Sequence, residues 1–167
     1  MKKLFLLLLL SAGVCHSYSQ DTNPLVLTDD AKYYNFWEGT WSRVNIETGV
    51  VDSNARCFTV SKGVHPACWK EEWSCIKATA LRSWDKTNNR WMYVWVSENG
   101  LFQVWEGRKI GKDWYIFKEF DINGDKYLSR QGVIPIDKNR IMRISEKSYD
   151  NGLTWELRFK EYFQRIQ

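Results

Sequence analysis

The sequence predicts an all-β protein, an antiparallel up-and-down barrel of about 8–10 strands behind a short N-terminal helical turn. Three observations carry that expectation. Asn-Gly dipeptides stand at 99–100, 123–124 and 151–152, each between two runs of alternating apolar residues. Asn and Gly both accept the positive φ angles of a two-residue hairpin turn, so each dipeptide predicts a hairpin. Beyond the first residues of the domain, no segment keeps a helical period.

The elements follow in order. Residues 30–38 (DAKYYNFWE) suit a short helical turn with Tyr34 and Trp37 on one side. Strands are expected at 39–46, 55–62, 69–76 and 78–84, then 91–98 with 101–107, 114–122 with 125–134, and 141–150 with 153–164. Asp85 to Asn89, Gly107 to Asp113 and Asp137 to Arg140 supply the turn chemistry between them. Pro135 falls near a strand end, where its missing N–H is tolerated. Short links and no crossover make a meander, which removes its free edges by closing.

The N-terminus reads as an export signal. Lys2 and Lys3 precede an unbroken apolar run from Leu4 to Leu10, and small residues follow at Ser17 and Ser19. Cleavage is expected after Ser19, giving a signal peptide over 1–19 and one domain over 20–167, periplasmic or secreted. A lipoprotein anchor at Cys15 is the alternative; Val14 is bulkier than such a site prefers. The apolar run is shorter than the roughly 20 residues a bilayer span needs, and no other long apolar stretch follows. Removing 1–19 leaves 22 basic against 20 acidic residues, a net +2 that argues against a nucleic-acid partner.

Three cysteines remain, Cys57, Cys68 and Cys75, in a compartment that permits a disulfide. A hairpin centred on Pro66 would set Cys57 opposite Cys75, and that bridge is the expected one. The spacing is not that of a zinc site. All 10 tryptophans lie after residue 19, which implies aromatic packing, an aromatic-lined pocket, or both.

The Asn-Gly turns also assign faces. The first puts Trp95 opposite Val104 and Tyr93 opposite Glu106. The second puts Phe117 opposite Arg130 and Glu119 opposite Leu128, with Tyr115 on the same side. In the third, Trp155, Leu157 and Phe159 share a face with Met142, Ile144, Glu146 and Glu161, while Lys147, Glu156, Arg143, Arg158 and Lys160 read as solvent-facing. On that reading Glu106, Glu119 and Arg130 project inward among Tyr93, Trp95, Tyr115 and Phe117. A buried carboxylate needs a partner, and Arg130 offers one. The cluster would orient a polar ligand group or work as acid and base.

Gly39-Thr40-Trp41 opens the first strand, followed by Trp105-Glu106-Gly107 and by Asp150-Asn151-Gly152-Leu153-Thr154-Trp155. This pattern resembles the lipocalin-like (calycin) barrels, most closely bacterial exported lipocalin-like domains whose function is uncharacterised. The resemblance spans nearly the whole domain. It implies that the Trp41 indole plugs one end of the barrel beneath an arginine of the last strand, Arg165 or Arg158. It also implies a binding protein whose partner is a small, partly hydrophobic molecule.

Other motifs read as local structure. Ser148 to Trp155 matches the Asp-box turn of sialidase propellers, in which the aspartate bonds turn amides and the tryptophan packs beneath; one copy makes no propeller, so Asp150, Gly152 and Trp155 are structural. Asp121 to Asp125 resembles the start of a calcium loop, but position 132, where the bidentate Glu belongs, is glycine. His65 precedes Pro66 in an expected turn, which argues against haem ligation, and no nucleophile elbow is present. No cofactor or metal is expected. Two further readings stay open: an enzyme using Glu106 or Glu119 as acid and base, and a carbohydrate- or protein-binding module using exposed Trp69, Trp73 and Trp84.

Overall fold

The computed structural model describes residues 26–52 and 57–166; the expected signal peptide and Cys15 lie outside them. Among the described residues ten antiparallel strands follow a single 3-10 turn, Tyr33–Phe36. They are β1 (Gly39–Val44), β2 (Cys57–Lys62), β3 (Cys68–Trp73), β4 (Ala78–Asp85), β5 (Arg90–Ser97), β6 (Phe102–Ile110), β7 (Asp113–Ile122), β8 (Asp125–Pro135), β9 (Arg140–Ser148) and β10 (Glu156–Arg165). Each strand pairs with the next, and β1 closes on β10. The fold is the closed antiparallel barrel that the turns predict, consistent with a lipocalin-like architecture.

The turns differ in ways that decide which side chains point inward. Asn123 and Gly124 both take positive φ, at 54° and 88°, and the pairs Phe117↔Arg130 and Glu119↔Leu128 form as expected. In the first hairpin only Gly100 is positive. Its loop has three residues: the Gly100 amide donates to Ser97 O at 3.0 Å and the Ser97 amide to Leu101 O at 3.1 Å. A type I turn closed by one left-handed glycine widens the loop by one residue. Tyr93 therefore pairs with Trp105 and Val94 with Val104, one step from the expected register.

In the third hairpin Asn151 and Gly152 are both positive, and Leu157 meets Glu146 as expected. A β-bulge at Arg158 then shifts the ladder, so Phe159 meets Ser145 and Glu161 meets Arg143. The expected faces of β9 are exchanged. Ile141, Arg143 and Ser145 lie on the inner side, while Met142 and Ile144 lie outside. The β2–β3 pairing is also one step from expectation: Phe58 meets Trp73, which sets Cys57 beside Ser74, and the Ser74 hydroxyl donates to Cys57 O at 3.0 Å. Cys57, Cys68 and Cys75 are free thiols, so the expected Cys57–Cys75 bridge is absent.

One end of the barrel is shut. The N-terminal strap and the 3-10 turn cross it, and Trp37, Trp41, Trp69 and Trp91 are each at most 1% exposed there, with Trp84 and Trp114 beside them. Gly39 enters β1 at φ 130°, a conformation a Cβ would disfavour, and this delivers Trp41 inward. The Trp41 indole donates to Trp37 O at 2.9 Å, and Trp91 Nε1 to Asp30 O at 2.9 Å. The Arg165 guanidinium lies 4.3 Å from the Trp41 ring centroid and donates to the Glu38 carbonyl, and to Phe36 O at 2.7 Å. Of the two expected arginines, Arg165 holds this position. Arg158 sits toward the opposite end, donating to Ser129 Oγ at 3.4 Å.

Candidate functional site

The barrel axis carries a polar assembly that sequence reasoning did not find. Glu71 is 1% exposed and Arg82 is 3% exposed. Both sit on inward positions of β3 and β4, flanked along their strands by Trp69, Trp73, Ala80 and Trp84. Glu71 Oε1 accepts from Trp37 Nε1 at 3.1 Å and from Arg82 Nε at 3.3 Å. Its Oε2 accepts from Trp73 Nε1 at 3.3 Å and from the Tyr93 hydroxyl at 3.5 Å. Arg82 lies between two phenol rings, its guanidinium carbon 4.4 Å from the Tyr34 centroid and 4.6 Å from that of Tyr93. Its Nη1 donates to the Tyr34 hydroxyl at 3.2 Å. This is how a buried charge pair is tolerated: both Glu71 oxygens accept further hydrogen bonds, and Arg82 adds a phenol hydroxyl and two ring faces to its ion pair.

The ionisations follow from that environment. Burial, then the Glu71 charge, pushes the Tyr93 hydroxyl well above the usual phenol range. Burial likewise raises Tyr34. For Arg82, burial alone would lower the value, but Tyr34, Glu71 and Tyr93 together hold the guanidinium above its ordinary range. The two tyrosines are fixed as neutral hydroxyls around a fixed cation.

A second polar tier lies toward the open end. Arg143 Nη1 is 3.5 Å from Glu161 Oε2, and its Nη2 donates to Gln131 Oε1 at 3.3 Å. Arg43 approaches the other Glu161 oxygen at 4.0 Å. The void between the tiers, among Trp37, Glu71, Trp73, Arg82, Tyr93 and Arg143, measures about 10 Å³, room for one water. The interior at this depth is therefore filled, not a chamber. Outside the second tier the chain opens into a cleft of about 780 Å³. Arg43 and Glu161 form part of its wall, with residues 44–48 and 50–52 on one side and Lys160 and Tyr162 on the other. Ile46 and Val50 reach the cleft 41% and 64% exposed. It forms because β1 ends at Val44 while its partner β10 begins at Glu156, so the β1–β10 ladder stops at Val44↔Tyr162.

The residues expected to form the site divide between the two sides of the wall. Tyr93 is buried in the interior, and Trp95 packs from the same face against Trp73, with ring centroids 5.7 Å apart. Glu106, Tyr115, Phe117, Glu119 and Arg130 lie on the outer face of β6–β8, because Trp105, Ile116, Ser129 and Gln131 take the inward positions. The expected pairing of Arg130 with Glu106 or Glu119 is replaced by a 2.6 Å contact to Glu146. Arg130 also stacks 3.9 Å over Trp155. Glu106 is exposed and takes Arg90 at 2.8 Å. No inward carboxylate cluster exists at Glu106 and Glu119. Trp69, Trp73 and Trp84, expected as an exposed platform, are buried at 1%, 3% and 7% exposure.

The 148–155 segment is a side-chain-stapled turn. Asp150 accepts from the Ser148 hydroxyl at 2.7 Å, the Thr154 amide at 2.8 Å and the Thr154 hydroxyl at 2.5 Å, and Trp155 Nε1 donates to Gly152 O at 3.0 Å. These donors hold the Asp150 carboxyl down to about 2. Among the described residues no group of three or more His, Cys, Asp or Glu is placed to hold a metal ion, and no helix is long and apolar enough to cross a membrane. No protein-family model matches the chain, and no curated protein is significantly similar to it.

Proposed function

We propose that this is an exported, lipocalin-like small-molecule-binding protein that takes its ligand at the open end, not along the length of the barrel. The observation that carries the reading is the contrast in space. The interior void is about 10 Å³, whereas the cleft over Arg43 and Glu161 is about 780 Å³, within the range of small-molecule sites. The cleft pairs exposed apolar groups, Ile46 and Val50, with charged ones, Arg43 and Lys160. That mixture suits a small, partly hydrophobic ligand with one polar end. The aromatic rings then act as the scaffold: they close the far end and hold the polar tiers in place. Trp41 beneath Arg165 supports the lipocalin-like reading, and the Lys2–Ser19 segment supports export.

Native mass spectrometry of the protein recovered from its own host tests both parts. The expected polypeptide begins at Gln20 and carries a co-purifying small molecule. Val50→Trp, which fills the cleft, and Arg43→Ala, which removes its cation, are each expected to lose that molecule while the barrel keeps its unfolding midpoint. Retention of the molecule by both variants would place the ligand elsewhere and overturn the cleft reading.

A further inference from the structure

The inner face of β7–β10 carries three cations in one row at the open end. Lys118 follows the buried Ile116 by two residues on β7, so it points inward with it, and it is half-buried. It pairs across the ladder with Ser129 of β8, which pairs in turn with Lys147 of β9. Arg158, at the β10 bulge, joins the row: its Nη1 donates to Ser129 Oγ at 3.4 Å. Ser129 is 0% exposed and its hydroxyl donates to Glu146 O at 3.2 Å, so it forms the floor. Adjacent strands lie about 4.8 Å apart, which sets the Lys118 and Lys147 stems about 10 Å apart on either side of the serine.

One step nearer the opening stands a matching row of rings. Phe120 and Tyr127 pair across β7 and β8 and stack, with centroids 5.2 Å apart and planes at 18°. Tyr149 meets Tyr127 edge-on at 6.1 Å. Each ring has one of the three cations beside it. Lys118 Nζ is 5.6 Å from the Phe120 centroid, the Arg158 guanidinium carbon 5.8 Å from that of Tyr127, and Lys147 Nζ 4.7 Å from that of Tyr149.

The charges on this face do not cancel. Lys147 has Glu156 at 3.4 Å, and the deeper Arg143 and Arg43 share Glu161. Among the described residues no carboxylate lies within ion-pair distance of Lys118 or Arg158; Lys118 has its ring, and Arg158 its ring and the serine hydroxyl. Asp125, the next acid on this face, is exposed at the hairpin tip, where it pairs with Ile122. Cations of one sign along a low-dielectric wall focus a positive potential over it. Tyr149 is 52% exposed and Arg158 is exposed too, so the wall is open to solvent. A bare inorganic ion would use the lower row alone. A flat apolar anion uses both, with its head between the cations and its ring against Phe120 and Tyr127.

We infer that the inner face of β7–β10 at the open end is a binding site for aryl carboxylates. It shares no side chain with the cleft over Arg43 and Glu161 and does not rest on that reading.

Calorimetric titration of the protein with 2-naphthoate, and with 2-naphthalenemethanol as the same ring without the charge, tests this. The acid should bind about tenfold or more tighter than the alcohol, and less tightly as salt is added. Lys118→Met and Arg158→Met keep an apolar stem and remove the charge, and each should weaken naphthoate binding about tenfold or more. Both relieve repulsion between like charges, so neither puts folding at risk. Lys112→Met, in the β6–β7 turn at the closed end, takes the same charge from the molecule and should leave binding unchanged. Equal affinity for acid and alcohol overturns the inference, as does the absence of naphthoate binding at millimolar concentration. Binding that survives both Lys118→Met and Arg158→Met places the anion elsewhere and overturns this site, leaving the cleft to its own test.

Discussion

Arg82 Nε meets Glu71 Oε1 at 3.3 Å in the middle of the barrel, with both side chains at least 97% buried. A pair at this depth gains its Coulomb energy only after a large desolvation cost, so its partners are what make it tolerable. Glu71→Leu strands a guanidinium between two rings; Arg82→Met strands a carboxylate among three neutral donors. Each is expected to cost about 3–5 kcal/mol. The double variant leaves no bare charge and should cost clearly less than the sum of the singles. Denaturant unfolding of the four proteins measures the coupling, and additive losses would show that the two side chains do not act as a pair.

Arg165 ties the closed end together. Its guanidinium covers Trp41 and reaches the Glu38 and Phe36 carbonyls, so β10 is fastened to the 3-10 turn and to β1 at once. Arg165→Ala removes a cation–π contact and two charge-assisted hydrogen bonds, with an expected loss of about 2–4 kcal/mol. Arg165→Lys keeps the charge but not the planar fork, and should recover less than half of the loss. Hydrogen exchange of the Trp41 amide provides a local readout, and should accelerate in the alanine variant.

The strands and their order were legible because turn chemistry is local: an Asn-Gly pair needs only its own φ angles to signal a hairpin. The inward faces were less legible because a single residue reverses them. One extra loop residue at Ser97–Leu101 moved Trp105 inside and Glu106 outside, and one bulge at Arg158 exchanged the faces of β9. In β7 and β8 the Asn123-Gly124 turn sets the register, but both faces carry rings, and Ile116 and Gln131 are less conspicuous in the sequence than Phe117 and Arg130. The central pair is hidden in the sequence because Lys70-Glu71-Glu72 reads as a solvent-facing charge run. A signal was present: Trp69-x-Glu71-x-Trp73 and Ala80-x-Arg82-x-Trp84 each place one charge on the apolar side of an alternating strand. The cleft had no local signature, because it arises where β1 ends before its partner does.

His65 contributes stability that acid should remove. Its Nδ1 accepts the Ala67 amide at 3.2 Å, which leaves Nε2–H to donate to Ser83 Oγ at 2.9 Å. Partial burial lowers the value of this imidazole below its ordinary 6.5. A group depressed in the folded state binds its proton more readily when unfolded. Its contribution is therefore complete above pH 6.5 and declines as pH falls through the lower folded value. His65→Gln should flatten the fall in unfolding midpoint over that window relative to the wild type, and an unchanged slope would assign the acid sensitivity to other groups.

Asp150 extends the same logic to stronger acid. Three donors, led by the Thr154 hydroxyl, hold its carboxyl at about 2 against an ordinary 3.8. Because the folded value is the lower one, the stabilisation is complete above about pH 4 and is lost as the pH drops toward 2. Asp150→Asn keeps one acceptor oxygen but offers the Thr154 hydroxyl an amide in place of the second. The variant is expected to be less stable than the wild type at neutral pH. The gap should close as acid protonates the wild-type carboxyl, so the two curves of unfolding midpoint against pH converge near pH 2. Thr154→Val, which removes one donor and leaves the aspartate, should move the wild-type inflection upward toward 3.8. Parallel curves with no convergence would mean that the turn is held by its backbone and by Trp155, not by the ionised aspartate.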